Sequence, residues 1–321
     1  MTSERINLKD LAKKKLLLAP GHRLCSGCAA SIIVKQALLA VDGPIVVVNA
    51  TGCLEVATTI YPYTSWRVPW IHNAFENAAA TASGILHARD KLLADGRLKQ
   101  RYDIIVFGGD GGTYDIGLQS LSGAWERGDK FLYILYDNEA YMNTGIQRSG
   151  GTPMCAWTTT TPVGRVVRGK EEWKKPIARI AAAHKIPYVA TATPYHWRDF
   201  ISKVKKGLKA DGPAFIHVIS PCCRGWRFKS SQTLKIAKLA VETCFFPLYE
   251  IINGSEYRLS QPSLVIAKNP KLKKPVKEYI ALQGRFKHLL QPENQELLNR
   301  IQETVDAEWN ELLRLCGISQ S

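Results

Sequence analysis

Long apolar runs are missing from the 321 residues: none approaches the ~18 that a membrane helix needs. The N-terminal stretch offers only Leu16 to Pro20, too short for a secretory h-region, so a cytoplasmic protein with no membrane contact is expected. Cysteine is scarce at eight residues, far below the density of a disulfide scaffold. The thiols are expected to be reduced, and clustered ones to be metal ligands or catalytic groups. Internal repeats and low-complexity tracts are absent. Acidic residues are the minority, 28 against 43 Lys and Arg, for a net charge of +15, which leaves nucleic acid, an acidic protein or an anionic substrate and cofactor open as partners. With 45% hydrophobic and 22% charged residues the composition is globular, excluding disordered, collagenous and coiled-coil classes. The length suits one large domain or two medium ones.

What is present is a series of short β-branched segments separated by helix-length ones. That is the pattern of an α/β domain with a mostly parallel sheet and helices on both faces. Strands are predicted at Pro44 to Val48, Asp103 to Phe107, Lys130 to Tyr136, Tyr188 to Thr191 and Ala214 to Ile219, each apolar on both faces as a strand covered on both sides requires. Helices are predicted over Ala29 to Val41, Ala74 to Ala94, Ile116 to Arg127 and Trp197 to Lys206. Tyr141 to Lys175, rich in Gly, Thr, Pro and Trp without a period, reads as a long ordered loop, usually functional inside a compact domain. The pattern changes after Lys238, and Glu293 to Leu315 reads as an amphipathic helix. The expectation is an α/β domain over residues 1–238 and a C-terminal arm over residues 239–321, packing outward onto partner subunits or back onto its own domain.

The most informative segment is Gly108-Gly109-Asp110-Gly111-Gly112-Thr113, directly after the strand ending at Phe107. Glycines at the carboxyl end of a parallel strand remove side-chain bulk and open a helix whose free N–H groups favour phosphate. A dinucleotide fingerprint fits poorly. Counted from Gly109, the third glycine position is Tyr114, and Asp129 precedes the next strand where a ribose-binding acid should follow it. A metal–diphosphate site fits better. Asn138 ends the next strand 28 residues after Asp110, about the length of a strand–helix–strand unit, so both oxygen ligands should lie at the carboxyl ends of neighbouring parallel strands. With a backbone carbonyl, two phosphate oxygens and water they would fill an octahedron suited to Mg²⁺.

Cys25 and Cys28 form a C-x-x-C before a predicted helix, Cys53 follows the first strand and Cys222 the last. Cys53 and Cys222 should therefore project from the edge that carries Asp110 and Asn138. Four thiolates there suit a [4Fe–4S] cluster and a tetrahedral zinc alike, although zinc modules usually pair two nearby C-x-x-C knuckles.

Gly109-Asp110-Gly111 followed by Asn138 resembles the thiamine diphosphate motif. The longer run GGDGGTYDIGLQSLSGAWERG…YDNEAYMNTGIQRSG resembles the β subunit of 2-oxoacid:ferredoxin oxidoreductases, pyruvate:ferredoxin oxidoreductase in particular. GHRLCSGC, NATGCLEV, YPYTSW, HNAFENAAAT and LAVETCFFPLYE extend the likeness over nearly the whole chain. The resemblance implies a thiamine diphosphate-binding domain in which Asp110, Asn138 and the main-chain carbonyl of Ala140 hold Mg²⁺. It implies Gly109, Gly111, Gly112, Glu139, Tyr141 and Cys53 around the cofactor, with Asn143 as the catalytic residue beside its reacting end. It also implies a [4Fe–4S] cluster on Cys25, Cys28, Cys53 and Cys222. Where the family has S-P-C-P this chain reads Ser220-Pro221-Cys222-Cys223, so Cys223 is the alternative fourth ligand.

The implied reaction is oxidative decarboxylation of a 2-oxo acid with coenzyme A, giving an acyl-CoA and CO₂, with electrons leaving to ferredoxin. Pyruvate is the first candidate, and branched-chain, aryl or oxalate-type acids are the alternatives. One such domain is incomplete for the task. An α subunit should supply the glutamate that activates the aminopyrimidine ring, and γ and small ferredoxin-like subunits the further clusters. A nucleic-acid partner is not expected, since no motif accompanies the charge. The rival reading, an NAD-dependent oxidoreductase with structural zinc, lacks the third glycine and the ribose-binding acid.

Other candidates carry less. His72 and Glu76, four apart, read as a local contact, and His22 as support for the C-x-x-C loop. Arg224, Trp226 and Arg227 could stack on a nucleotide such as coenzyme A or cap the sheet edge. Cys155, Cys244 and Cys316 read as apolar fillers, and Lys268 to Lys277 as a solvated face.

Overall fold

Segments that are apolar at every position leave no face for water, and each of them is a buried strand. The structure, a computed structural model, describes residues 6–318; the first five residues and the last three, which the expected domain and tail included, lie outside that range. Strands β1 (Ile45–Ala50), β2 (Trp70–Asn73), β3 (Asp103–Gly109), β4 (Leu132–Asp137), β5 (Tyr188–Ala192), β6 (Ala214–Ile219), β7 (Tyr249–Ile252) and β8 (Glu256–Leu259) form one sheet. Its order is β2-β1-β3-β4-β6-β5-β7-β8. All pairings among β1 to β6 are parallel, while β7 and β8 add antiparallel ones at the β5 edge.

The helices are α1 (Leu8–Lys13), α2 (Ala29–Leu39), α3 (Cys53–Thr58), α4 (Ala78–Ala94), α5 (Leu118–Glu126), α6 (Ile177–Ala183), α7 (Trp197–Lys209), α8 (Thr233–Glu242), α9 (Gln261–Lys268), α10 (Val276–Ile280) and α11 (Gln295–Leu315). Successive side chains of a strand point to opposite faces, which divides the core in two. Ile105, Phe107, Ile134 and Ile216 meet α2 and α7 through Ile33, Val34, Phe200 and Val204. Ile104, Val106, Tyr133 and Phe215 meet α4, α5 and α6 through Leu86, Leu121, Trp125 and Ala178. The expected α/β class with helices on both faces is the observed one.

Three strands escaped the sequence reading. β2 is four residues long and partly exposed, so it shows no apolar run. β7 and β8 form a hairpin around Asn253 and Gly254, both at positive φ. Asn-Gly between short apolar runs is a turn signal that was there to be read.

Of the two placements left open for the C-terminal region, the described residues take the one back onto their own domain. Residues 239–318 do not leave the domain as an arm: they extend its sheet and share a buried cluster with Met154, Ile219 and Trp226. The amphipathic helix forms as α11, with Leu298, Ile301, Val305, Trp309 and Leu312 on the buried face, and that face has a core to cover within this chain. Lys273 and Lys274, expected on a solvated face, are ion-paired with Asp306 and Glu242. Trp309→Ala is therefore expected to cost about 3–5 kcal/mol in urea denaturation, as for a core aromatic. A surface-sized change of ~0.5 kcal/mol or less would mean that this face is not core.

Candidate active site

In a parallel sheet all carboxyl ends share one rim, and β1, β3, β4 and β6 are consecutive neighbours. Their exits carry Cys53, the glycine loop from Gly109 to Gly112, Asn138 to Asn143, and Cys222. The glycine loop turns through one π-helical turn, Gly111–Asp115, before α5 begins at Leu118, so the expected direct strand-to-α-helix junction is replaced by a wider turn. Glycine is required here by space. A Cβ on Gly111 would lie 2.1 Å from the Tyr141 ring, and one on Gly112 would lie 2.8 Å from the Phe75 carbonyl oxygen.

Asp110 is buried at 2% exposure, its Oδ2 accepting from the Ser149 hydroxyl, and among the described residues no cationic side chain pairs with it. Burial, followed by the charge of Asp137, pushes its carboxyl well above the ordinary range, as expected for a carboxylate removed from water without a counter-cation. Asn138 stands beside it. With its nitrogen turned inward, the amide donates to the Ala140 carbonyl (2.7 Å) and to Asp110 Oδ1 (3.0 Å). With its oxygen turned inward, three oxygens face one another at those spacings. Octahedral Mg²⁺, with Mg–O near 2.1 Å, sets adjacent ligand oxygens about 3.0 Å apart. The donor set, its spacing and its uncompensated charge therefore fit that ion.

The loop behind these oxygens is held on every side. Glu139 adopts φ +64° and is fully buried. Its N–H donates to Asp137 Oδ1 (2.9 Å), and its carbonyl accepts from Thr152 Oγ1 (2.7 Å). Its carboxylate pairs with Lys174 (3.2 Å) and with Arg285. Asp137 accepts from Tyr114 (2.8 Å) and pairs with His217 (2.7 Å). Although burial opposes it, the bond to His217 holds the Asp137 carboxyl below its ordinary range. Trp226 Nε1 donates to the Asn138 carbonyl (2.7 Å), and the Tyr141 hydroxyl to the Gly111 carbonyl (3.0 Å).

Cys25, Cys28, Cys53, Cys222 and Cys223 line one cavity of roughly 280 Å³. Burial is the first cause pushing the Cys28 and Cys53 thiols up to about 12, with the neighbouring cysteines adding to it. Among the described residues no three of His, Cys, Asp and Glu come close enough to share one ion. A tetrahedral zinc with Zn–S near 2.3 Å would draw its sulfurs to about 3.8 Å apart. Cysteines spread around a cavity suit a multi-iron centre instead, in which each thiolate binds its own iron. The C-x-x-C turn is pinned by residues 223–233: the Cys223 thiol donates to the Ser26 carbonyl (3.2 Å) and Thr233 Oγ1 to that of Gly27 (2.5 Å). Cys222 Sγ instead accepts the Gly225 N–H (3.3 Å).

A second cleft holds Gly109, Asp110, Gly111, Gly112, Asn138, Ala140, Tyr141 and Asn143. Cys53, Tyr136, Asn138 and Asn143 line both spaces. The Tyr136 hydroxyl, in that shared wall, is buried without any hydrogen-bond partner, a donor left open for a bound acceptor.

Known proteins resemble this chain along most of its length. Residues 50–218 match the family of thiamine pyrophosphate enzymes, C-terminal TPP binding domain. Pyruvate synthase subunit PorB of Thermotoga maritima is 51% identical over 320 residues, 97% of this chain and 96% of its own length. The chain belongs to the thiamine diphosphate-binding subunits of the 2-oxoacid:ferredoxin oxidoreductases. PorB of Methanocaldococcus jannaschii is 53% identical over 291 residues, covering 90% of this chain and 93% of that one. Ketoisovalerate oxidoreductase subunit VorB of Pyrococcus abyssi is 42% identical over 299 residues, covering 93% of each. The solved 2-oxoglutarate:ferredoxin oxidoreductase of Magnetococcus marinus, 20% identical with a TM-score of 0.54 over 74% of this chain and 82% of that one, shares the fold.

Within this oxidoreductase subunit every residue expected at the site lies on the one rim. His72 pairs with Glu55 (3.3 Å) instead of Glu76. Trp226 is buried beside Asn138 and braces that loop, while Arg227 lies over Trp157 and, like Arg224, is exposed. The sequence reading missed Tyr136, hidden inside a strand run, and Ser149, Lys174, His217 and Arg285, which reach the loop from distant segments. Gly111→Ala is expected to destabilise by about 1–3 kcal/mol in urea denaturation through overpacking against Tyr141. Gly84→Ala, in open space inside α4, should be neutral or stabilising; equal effects would refute the close packing.

Proposed function

We propose that this chain is the thiamine diphosphate- and iron–sulfur-binding subunit of a pyruvate:ferredoxin oxidoreductase. The reaction takes pyruvate, coenzyme A and two oxidised ferredoxins to acetyl-CoA, CO₂, a proton and two reduced ferredoxins. The observation that carries the reading is the shared wall of Cys53, Tyr136, Asn138 and Asn143, which would set a cofactor and a redox centre one side chain apart.

In this reading Asp110, the Asn138 amide oxygen and the Ala140 carbonyl hold Mg²⁺. Gly109, Gly111 and Gly112 admit the diphosphate, while Glu139 and Tyr141 shape the loop around it. Cys25, Cys28, Cys53 and Cys222 hold a [4Fe–4S] cluster. Cys222 is the fourth ligand because its sulfur accepts an N–H as a thiolate does, whereas the Cys223 thiol is spent as a donor. Thiamine diphosphate supplies carbanion stabilisation for the loss of CO₂ from a 2-oxo acid, and the cluster supplies one-electron transfer. The chain's own part is to fix the diphosphate end, present the Asn143 amide at the mouth between the two spaces, and keep both sites on one rigid rim.

The relatives' names denote subunits, and this reading gives the chain an α subunit carrying the aminopyrimidine-activating glutamate. γ and small ferredoxin-like subunits or domains would carry further clusters, and a net charge of +15 favours an acidic ferredoxin as acceptor. Anaerobically purified complex should be brown, with about four irons per copy of this chain beyond those of the other subunits, and should contain thiamine diphosphate. Colourless zinc protein without the vitamin would sink the proposal. Against a panel of 2-oxo acids, pyruvate should give the highest kcat/KM, and a preference for 2-oxoisovalerate would move the chain to the ketoisovalerate branch. Asp110→Ala should abolish Mg²⁺-dependent retention of thiamine diphosphate while circular dichroism stays native; tight retention would remove Asp110 from the site.

A further inference from the structure

Glu139 is the one residue between Asn138 and Ala140, two of the three oxygen donors assigned above, and all its polar atoms are engaged. Its N–H and C=O are held by Asp137 and Thr152, and its carboxylate oxygens by Lys174 and Arg285. A non-glycine residue at φ +64° is strained and persists only where its surroundings over-determine it. The direction of the next carbonyl, that of Ala140, depends on that backbone conformation.

Arg285 is the most distant of these supports along the chain and is enclosed at 2% exposure. It follows α10 in the region expected to be an arm. Its guanidinium carbon lies 3.9 Å from the centre of the Trp226 ring, and its Nε donates to Gln283 (2.9 Å). A further N–H group meets the Glu139 carboxylate. Trp226 in turn donates to the Asn138 carbonyl (2.7 Å), and its backbone N–H donates to the Cys222 carbonyl (2.9 Å). One planar cation thus stacks on the ring that props Asn138 and clamps the carboxylate that sets Ala140. Lysine, a point charge without a plane, can replace the ion pair but not the stack.

We infer that Arg285 is a positioning residue for the divalent cation: by holding Glu139 and Trp226 together it aims the Ala140 carbonyl and the Asn138 side chain at the ion. The inference rests on the cation site proposed above. Removing a partner that orients a metal ligand typically weakens metal binding about 10- to 100-fold.

The test uses the complete complex, with Mn²⁺ as the probe ion read by electron paramagnetic resonance in the presence of thiamine diphosphate. Arg285→Met should weaken Mn²⁺ by about 10- to 100-fold, and Arg285→Lys should recover part of that loss. Arg89→Met is the control, a buried arginine on α4 bonded to the Tyr102 carbonyl; it should leave the Mn²⁺ affinity unchanged even if it lowers the melting temperature. Unchanged Mn²⁺ affinity in Arg285→Met, or equal weakening in Arg89→Met, overturns the positioning role. If Arg285→Met does not fold, Arg285→Lys decides: several-fold weaker binding supports the role and wild-type binding overturns it. Asp110→Ala separates the two levels, because Mn²⁺ binding undiminished in that variant would overturn the cation site itself.

Discussion

A buried carboxylate that meets no cationic side chain among the described residues is the constraint on which the rest of this rim depends. Asp110 sits in a strand-to-helix turn where Gly111 and Gly112 have no room for a side chain, next to the Asn138 amide and the Ala140 carbonyl. Among the described residues no arginine or lysine pairs with it. In a low-dielectric site such an arrangement is costly unless a cation completes it. The π-helical turn that begins at Gly111, the left-handed Glu139 and the Ser149 hydroxyl surround those oxygens.

The second feature is the nearness of two different chemistries. A parallel sheet delivers its strand ends to one side, and neighbouring exits lie about 5 Å apart across the ladder. The glycine loop after β3 and the asparagine loop after β4 therefore meet without any long-range device. The cysteines need more. Cys53 comes from the β1 exit and Cys222 from the β6 exit, while the C-x-x-C turn before α2 is brought in by residues 223–233. The turn that follows Cys222 also places Trp226 under Asn138. A segment that lines the thiol cavity thus braces the asparagine loop, and the C-terminal region shares a buried cluster with Trp226.

Much of this was legible because it is local. Runs apolar at every position pointed to doubly covered strands, and Gly109-Asp110-Gly111 with Asn138 one strand–helix–strand unit later pointed to an acid and an amide on one edge. Boundaries moved by a few residues, as at α4, which starts at Ala78 after a turn. The hairpin of β7 and β8 carried a local signal in Asn253-Gly254 and went unread. The amphipathic stripe of α11 was visible, but a stripe states only that something must cover it.

The sequence by itself determined the fold class, the shared rim and the residue types of both candidate sites, because strand polarity and spacing along the chain suffice to place strand ends. Only the tertiary structure decided what covers the C-terminal helix, which side chains pin the C-x-x-C turn, and which distant side chains hold Glu139. Those depend on packing between segments far apart in the chain. Their partners are chosen by volume and by the need to satisfy every buried polar atom, and neither quantity has a period along the sequence.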